Sequence, residues 1–284
     1  MAGHTTFRVG GPADLYAIPD SIDDLVTILN TVQAESVPCF ILGGGANIVV
    51  ADAGIRGIVV DMSRFSSMEM AGDTLVVGAG AAISDAAAFA ADGGRSGLGF
   101  IYAMPGSVGG AVWMNARCYG GEISDILDAV DVVTAEGDQR RYLPQAGDFG
   151  YKRSPFQTRN DVMVSVSFRL NEGTPADTWK VMRECEADRR AKGHFDAPCA
   201  GSVFKNNRAF GKPSGQIIDE VGLRGTRVGG AQVSDRHANI IVNNGSATAA
   251  EIRQLVDQVR CEVLARTGYE LESEIMFVGD WGET

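Results

Sequence analysis

The sequence predicts an α+β protein of several lobes, because strand-length apolar runs and helical stripes fall into separate groups divided by glycine-rich turns. One group sets a helical stripe at 21–35 among short strand runs at 40–42, 48–50 and 57–60. A second joins a strand at 74–77, an alanine-rich helix at 84–91 and a hairpin pattern over 126–142. The third ends in a capped helix and an alternating strand. With 284 residues, 45% of them hydrophobic, and 36 glycines, the chain is long enough for two or three domains of about 100–150 residues each.

In chain order, Ile22, Leu25, Val26, Leu29 and Val32 recur at helical spacing behind Ser21, whose hydroxyl suits the cap. Phe40-Ile41-Leu42 runs into three glycines, Ile48-Val49-Val50 leaves them, and Gly57-Ile58-Val59-Val60 follows. Thr74-Leu75-Val76-Val77 leads through Gly78-Ala79-Gly80 into the alanine-rich helix, and Glu136-Gly137-Asp138 turns the hairpin. A charged helix over 177–192 leads to Gly201-Ser202-Val203-Phe204-Lys205-Asn206-Asn207, which reads as a strand ending in a turn. Thr248-Ala249-Ala250-Glu251 is a capping box, Ile252, Leu255, Val256, Val259 and Val263 are the buried stripe behind it, and Gly268 stops the helix. Over 271–278, alternation puts Leu271, Ser273, Ile275 and Phe277 on one face and Glu272, Glu274 and Met276 on the other.

A net charge of −11 argues against nucleic acid or an anionic membrane as partner, since both require a basic face. Any anionic ligand has to be held by local cations, which cluster at Lys152-Arg153, at Arg189-Arg190-Ala191-Lys192 and around Lys205 and Arg208. The apolar runs are far shorter than the roughly 20 residues of a membrane helix, and no signal sequence opens the chain, so the expected compartment is the cytoplasm. Five scattered cysteines without a Cys-x-x-Cys pair read as reduced core thiols. His4, His194 and His237 do not cluster in sequence, so no metal site is expected.

Gly43-Gly44-Gly45-Ala46-Asn47 between two strands is either a tight turn or a place where backbone N–H groups converge on an anion. The stretch from Pro105-Gly106-Ser107-Val108-Gly109-Gly110 to Asn115 mixes close-approach glycines with apolar residues and an amide, which suits a flat ring system bearing phosphates. Two such loops in adjacent lobes point to a dinucleotide. Gly78-Ala79-Gly80 imitates a Rossmann start, but the third glycine position holds Ile83 and no strand-end acid follows. Ser202-Val203-Phe204-Lys205 imitates an acyl-transferase Ser-x-x-Lys without its Lys-Thr-Gly or Ser-Asp-Asn partner. Tyr151-Lys152-Arg153-Ser154-Pro155-Phe156 is either a surface turn or a carboxylate or phosphate holder, and Glu274 either a strand-edge acid or a catalyst.

Five ordered motifs together resemble the UDP-N-acetylenolpyruvoylglucosamine reductases, the MurB family, in its type II branch. They are Thr6-Phe7-Arg8-Val9-Gly10-Gly11-Pro12-Ala13, Leu42 to Asn47, Pro105 to Ala111, Ala200 to Asn206 and Glu274-Ile275-Met276-Phe277. The resemblance implies a two-lobed FAD-binding region of the vanillyl-alcohol-oxidase/PCMH type, with lobes at 1–61 and 62–175, and a C-terminal α+β substrate domain at 176–284 whose last strand returns a glutamate. It implies non-covalent FAD, held by Gly43, Gly44, Gly45, Ala46, Asn47, Pro105, Gly106, Ser107, Gly109, Gly110, Asn115 and Arg189. NADPH would donate the hydride, and UDP-N-acetylglucosamine enolpyruvate would be reduced to the peptidoglycan precursor UDP-N-acetylmuramate. Ser202 would be the proton donor, Glu274 and Lys152 or Arg153 would stabilise the enediolate, and Tyr151, Lys192, Lys205 and Asn206 would hold substrate. The chain departs from the family at Lys152, where arginine is usual, and at Ala46, where serine is common. Another FAD oxidase of the same fold, with Cys118 as a conceivable flavin tether, and a non-catalytic nucleotide module are the alternatives.

Overall fold

A computed structural model of the chain describes residues 1–282, which form two compact units. The larger takes Leu15–Gly44 and Gly57–Ala187; the smaller takes Met1–Asp14, Gly45–Arg56 and the described chain from Asp188 onward. The expected lobe 1–61 is therefore divided, for a reason periodicity cannot register. The strand Ile48–Val50 pairs in parallel with Met276–Val278, so these residues belong with the chain's other end.

The larger unit centres on a five-stranded antiparallel sheet in the order Gln139–Tyr142, Leu127–Val133, Val162–Arg169, Thr74–Gly78, Met68–Ala71. In the same unit Cys39–Leu42 pairs in parallel with residues 58–61. Helix α1 (Ile22–Ala34), capped as expected by Ser21 accepting from Asp24 N–H, sets Leu25 and Leu29 against Val60, Val133 and Val164. Helix α2 (Ile83–Asp92) buries Ala86, Ala87, Ala90 and Ala91, small residues that let it lie close on Leu75, Val77, Val166 and Phe168. Helix α3 (Val108–Trp113) contains two glycines, and no apolar stripe announces it. Tertiary contacts make it: Val108 and Gly109 N–H donate to Ala81 O and Ala79 O at 2.9 and 2.7 Å, and a β-carbon on Gly109 would sit 3.1 Å from that of Ala79. The Gly78-Ala79-Gly80 turn thus receives α3, and its glycines pack against the backbone of Phe65 and Met62.

Helix α4 (Pro175–Ala191) leads into the smaller unit, where α5 (Ser214–Glu220) and α6 (Ala249–Thr267) cover a three-stranded antiparallel sheet of Arg227–Val228, Ala231–Val233 and Ile241–Asn243. The α6 stripe is buried as read, both halves of its capping box form, and Gly268 ends it at φ 73°. Asp52 accepts from Ala249 and Ala250 N–H at 2.9 Å each, placing a carboxylate on the positive end of α6.

Two expected strands are shorter than read. Segment 201–207 makes isolated bridges at Ser202 and Phe204, and the terminal ladder covers Met276–Val278 only. The cause is a change of partner within a few residues, from Phe204 opposite Ser273 to Ile48 opposite Met276. All five cysteines are free, but Cys39 and Cys261 are exposed, so the core-thiol expectation fails for these two. No helix among the described residues is long and apolar enough to cross a membrane.

Candidate active site

In the smaller unit three segments distant in sequence meet beside Ser202. Val203 N–H donates to Asn239 O at 2.8 Å, Glu274 N–H donates to Val203 O at 2.7 Å, and Asn47 Nδ2 donates to Glu274 O at 2.9 Å. Asn239 is buried and clamps the same segment, its Oδ1 accepting from Phe204 N–H at 2.9 Å and its Nδ2 donating to Phe204 O at 2.8 Å. A side-chain amide here imitates a neighbouring strand, which fixes the backbone that carries Ser202. Ser202 and Glu274 are half-buried. Ser202 lines a cavity of about 330 Å³ with Asn206, Gln216, Arg224, Arg236 and His237. Asn206 Oδ1 accepts from Ser214 N–H at 2.9 Å, which orients its amide at the rim. Lys205 Nζ lies 2.5 Å from Glu272 and Lys192 Nζ 2.6 Å from Asp188, so both expected substrate cations carry an acidic neighbour. Arg189 is 7% exposed on the last turn of α4.

The larger unit brings the two glycine loops together. A β-carbon on Gly44 would lie 2.6 Å from Gly106 Cα and 2.8 Å from Ser107 N, and one on Gly43 would strike Ser107 Oγ. Ser107 Oγ accepts from Gly110 N–H at 3.2 Å and caps α3. Gly43, Gly44, Pro105 and Gly110 are nevertheless exposed, so the loops present bare peptide groups to solvent. That cradle fits a diphosphate, because no side chain stands between the peptide dipoles and an incoming anion. In the smaller unit Gly45 passes the backbone of His4 with no room for a β-carbon, and Thr6 N–H donates to Gly45 O at 3.1 Å. Thr6 Oγ1 is buried there with no hydrogen-bond partner among the described residues, an orphaned donor that fits a polar cofactor atom.

Tyr151-Lys152-Arg153 forms a tight turn in the larger unit, closed by reciprocal Gly150–Arg153 backbone bonds of 3.0 and 3.1 Å, with Lys152 at φ 56°. The two cations are held differently. Arg153 is exposed and its Nη2 lies 3.5 Å from Gly147 O, folded back along its own loop, whereas Lys152 is half-buried and its carbonyl accepts from Gln157 Nε2 at 3.0 Å. Asn115 is fully buried, its Nδ2 donating to Gly150 O at 3.0 Å and its Oδ1 accepting from Ser124 N–H at 2.9 Å.

Sequence reasoning placed Thr6 in a motif without a site role and did not single out Gln157, Arg236 or Asn239. For Asn239 a signal was present: the polar run Asp235-Arg236-His237-Ala238-Asn239 stands directly before the apolar Ile240-Ile241-Val242, which marks a turn entering a buried strand. His194 and His237, far apart in sequence, lie with ring centroids 6.0 Å apart. Burial first, then Arg189, His237 and Lys192, push His194 down to about 4, against a smaller opposing pull from Asp188. His237 is lowered as well, chiefly by burial.

A family model described as the UDP-N-acetylenolpyruvoylglucosamine reductase C-terminal domain matches residues 193–278, and one described as an FAD binding domain matches residues 13–142. The UDP-N-acetylenolpyruvoylglucosamine reductase of Heliobacterium modesticaldum is 43% identical, the alignment covering 99% of this chain and 90% of that protein. The reductase of the same name from Treponema denticola is 38% identical over 98% of this chain and 91% of its own length. The crystal structure of the enzyme from Thermus caldophilus superposes with a TM-score of 0.82 at 33% identity, covering 97% of this chain and 96% of that one.

Proposed function

Because the chain belongs to the UDP-N-acetylenolpyruvoylglucosamine reductase family and is an FAD-dependent oxidoreductase, we propose that it reduces UDP-N-acetylglucosamine enolpyruvate to UDP-N-acetylmuramate with NADPH, in the cytoplasm. The observation that carries the assignment of residues is the convergence of Ser202, Glu274 and Asn47 on one hydrogen-bonded backbone in the smaller unit. Bound FAD supplies the two-electron relay between the nicotinamide and the methylene carbon of the enolpyruvyl group. Gly43, Gly44, Gly106, Ser107 and Gly110 hold its diphosphate through peptide groups, with Pro105 and Gly109 shaping the loop, and Gly45, Ala46, Asn47 and Arg189 complete the cofactor contacts.

Reduction at the methylene carbon leaves negative charge on the carboxylate side, as an enediolate, and the adjacent carbon then needs a proton. Ser202 Oγ delivers it. A hydroxyl serves as general acid only when held within reach of the carbon, and the bonds at Val203 and Phe204 fix its backbone. Glu274 and Lys152 stabilise the enediolate, and Tyr151, Lys192, Lys205 and Asn206 hold the substrate. The half-buried position of Lys152 and the folded-back guanidinium of Arg153 favour Lys152 as the cation.

Ser202→Ala tests this reading by rapid mixing. Flavin bleaching by NADPH proceeds at nearly the normal rate, whereas reoxidation by the enolpyruvyl substrate slows about 10²–10⁴-fold, the usual cost of losing a positioned general acid. Unchanged reoxidation removes Ser202 from the mechanism, and equal slowing of both half-reactions assigns it a structural role. A protein that binds FAD but shows neither half-reaction would instead be a nucleotide-binding module.

A further inference from the structure

Helix α3 is tied at one end to the glycine loops and at the other to the cation turn, all within the larger unit. At its start Ser107 is both the cap and the residue against which Gly43 and Gly44 pack. At its end Trp113 O accepts from Ser154 Oγ at 2.7 Å and from Gln157 Nε2 at 3.0 Å, and the same Nε2 donates to Lys152 O at 3.0 Å. Asn115, just beyond the helix and itself at φ 42°, reaches Gly150 O from the other side of the turn. A helix of 6 residues spans only about 9 Å, so these ties fix the turn at a short, set distance from the loops.

Lys152 sits in the left-handed region, which a lysine adopts at a cost and keeps only where its surroundings hold it. The amides of Asn115 and Gln157 grip the backbone of this turn from outside it. Each has its other polar work fixed, Asn115 Oδ1 by Ser124 N–H and Gln157 Nε2 by Trp113 O, so neither is free to follow the turn if it moves.

We propose that Asn115 and Gln157 are positioning residues for Lys152: with α3 as a rigid spacer, the two amides hold the left-handed turn so that the ammonium is set for the enediolate before substrate arrives. This rests on the assignment of Lys152 to the reaction. It departs from the expectation that Asn115 touches the cofactor, since Asn115 is 0% exposed and its amide spans two backbone groups of the larger unit.

Gln157→Met keeps the length and neutrality of the side chain while removing the donor to Lys152 O, and Trp113 O retains the Ser154 hydroxyl. Asn115→Asp keeps the acceptor for Ser124 and loses the donor to Gly150 O. In either variant substrate-driven reoxidation slows about 10- to 100-fold, the scale expected of a misplacement near 1 Å, while flavin reduction by NADPH stays close to the parent's. The thermal midpoint is kept in Gln157→Met and falls in Asn115→Asp, which sets a buried carboxylate against Gly150 O. In the flavin-free protein, amide hydrogen exchange at Gly150 and Arg153 accelerates. In a Lys152→Gln background, Gln157→Met slows reoxidation no further. The same slowing in both backgrounds, or unchanged exchange, overturns the positioning role while leaving Lys152 in place. Full turnover by Lys152→Gln overturns the cation assignment, and the catalytic role of the two amides with it.

Discussion

Replacing Lys152 and Arg153 separately with glutamine contrasts two neighbouring cations that the turn holds in different ways. Removing a group that faces developing charge typically costs about 10²–10³ in rate, so Lys152→Gln loses that much in substrate-driven reoxidation while Arg153→Gln loses less than about fivefold. A reversed order, measured by the same rapid-mixing absorbance, makes Arg153 the cation and the folded-back guanidinium a resting position. At this scale the sequence is most informative where a residue belongs to a motif and least where it works through backbone. Ser202, Glu274 and the glycines could be read because their neighbours form recognisable strings. Gln157 could not, and for Asn239 the sequence marks only a turn entering a strand, because each acts through a bond to a peptide group, five and more than thirty positions away respectively, and an amide by itself looks like any polar surface residue.

Elements with their own periodicity were legible, and elements made by their neighbours were not. The stripes and caps of α1 and α6 specify them locally, which is why their ends agree with the caps read from sequence. Helix α3 owes its existence to the Ala79 and Ala81 carbonyls and has no local signature strong enough to place it. The central strand Val162–Arg169 does carry one, Val162, Val164, Val166 and Phe168 alternating with Met163, Ser165, Ser167 and Arg169, while its two neighbours lie far away in sequence and only the fold supplies them. The same reasoning makes the glycine loops a unit. Gly44→Ala puts a methyl group 2.6 Å from Gly106 Cα, with backbone on both sides and nothing flexible to yield. It therefore weakens FAD retention about tenfold or more and lowers the thermal midpoint of the flavin-free protein too, since loop contact precedes cofactor contact. Weakened FAD binding with an unchanged midpoint would show instead that the loops touch only when the cofactor is present.

Across the molecule, an excess of acid coexists with a local cationic group at Arg189, Lys192 and Arg224 beside two half-buried imidazoles. His194 binds its proton at 6.5 when unfolded and at about 4 when folded, so between those values the unfolded chain takes up protons that the folded chain refuses. Stability is therefore greatest above about pH 6.5 and falls as pH drops towards about 4, with His237 contributing in the same direction. Arg189 and Lys192, with His237, oppose the imidazolium charge of His194, and Lys192 and Arg224 oppose that of His237, whereas Asp188 favours both and a backbone hydrogen bond favours that of His237. Denaturation midpoints for His194→Gln should fall less steeply over this window than the parent's. A parallel fall in both proteins would place the acid sensitivity elsewhere.

The parallel pairing of Ile48–Val50 with Met276–Val278 also sets an order of assembly during synthesis. The larger unit takes its last residues from the run ending at Ala187, whereas the smaller one cannot close until Met276–Val278 has left the ribosome. The strand Ile48–Val50 waits for a partner more than 220 positions away. Closing so long a loop costs little more free energy than closing a short one but slows the search for native contacts, so the strand edge at Ile48–Val50 stays open for that time. The nascent chain can hold its glycine-loop scaffold while Ser202 and Glu274 are still apart. A stall before Met276–Val278 emerges would leave the apolar edge at Ile48–Val50 exposed, a candidate for chaperone capture.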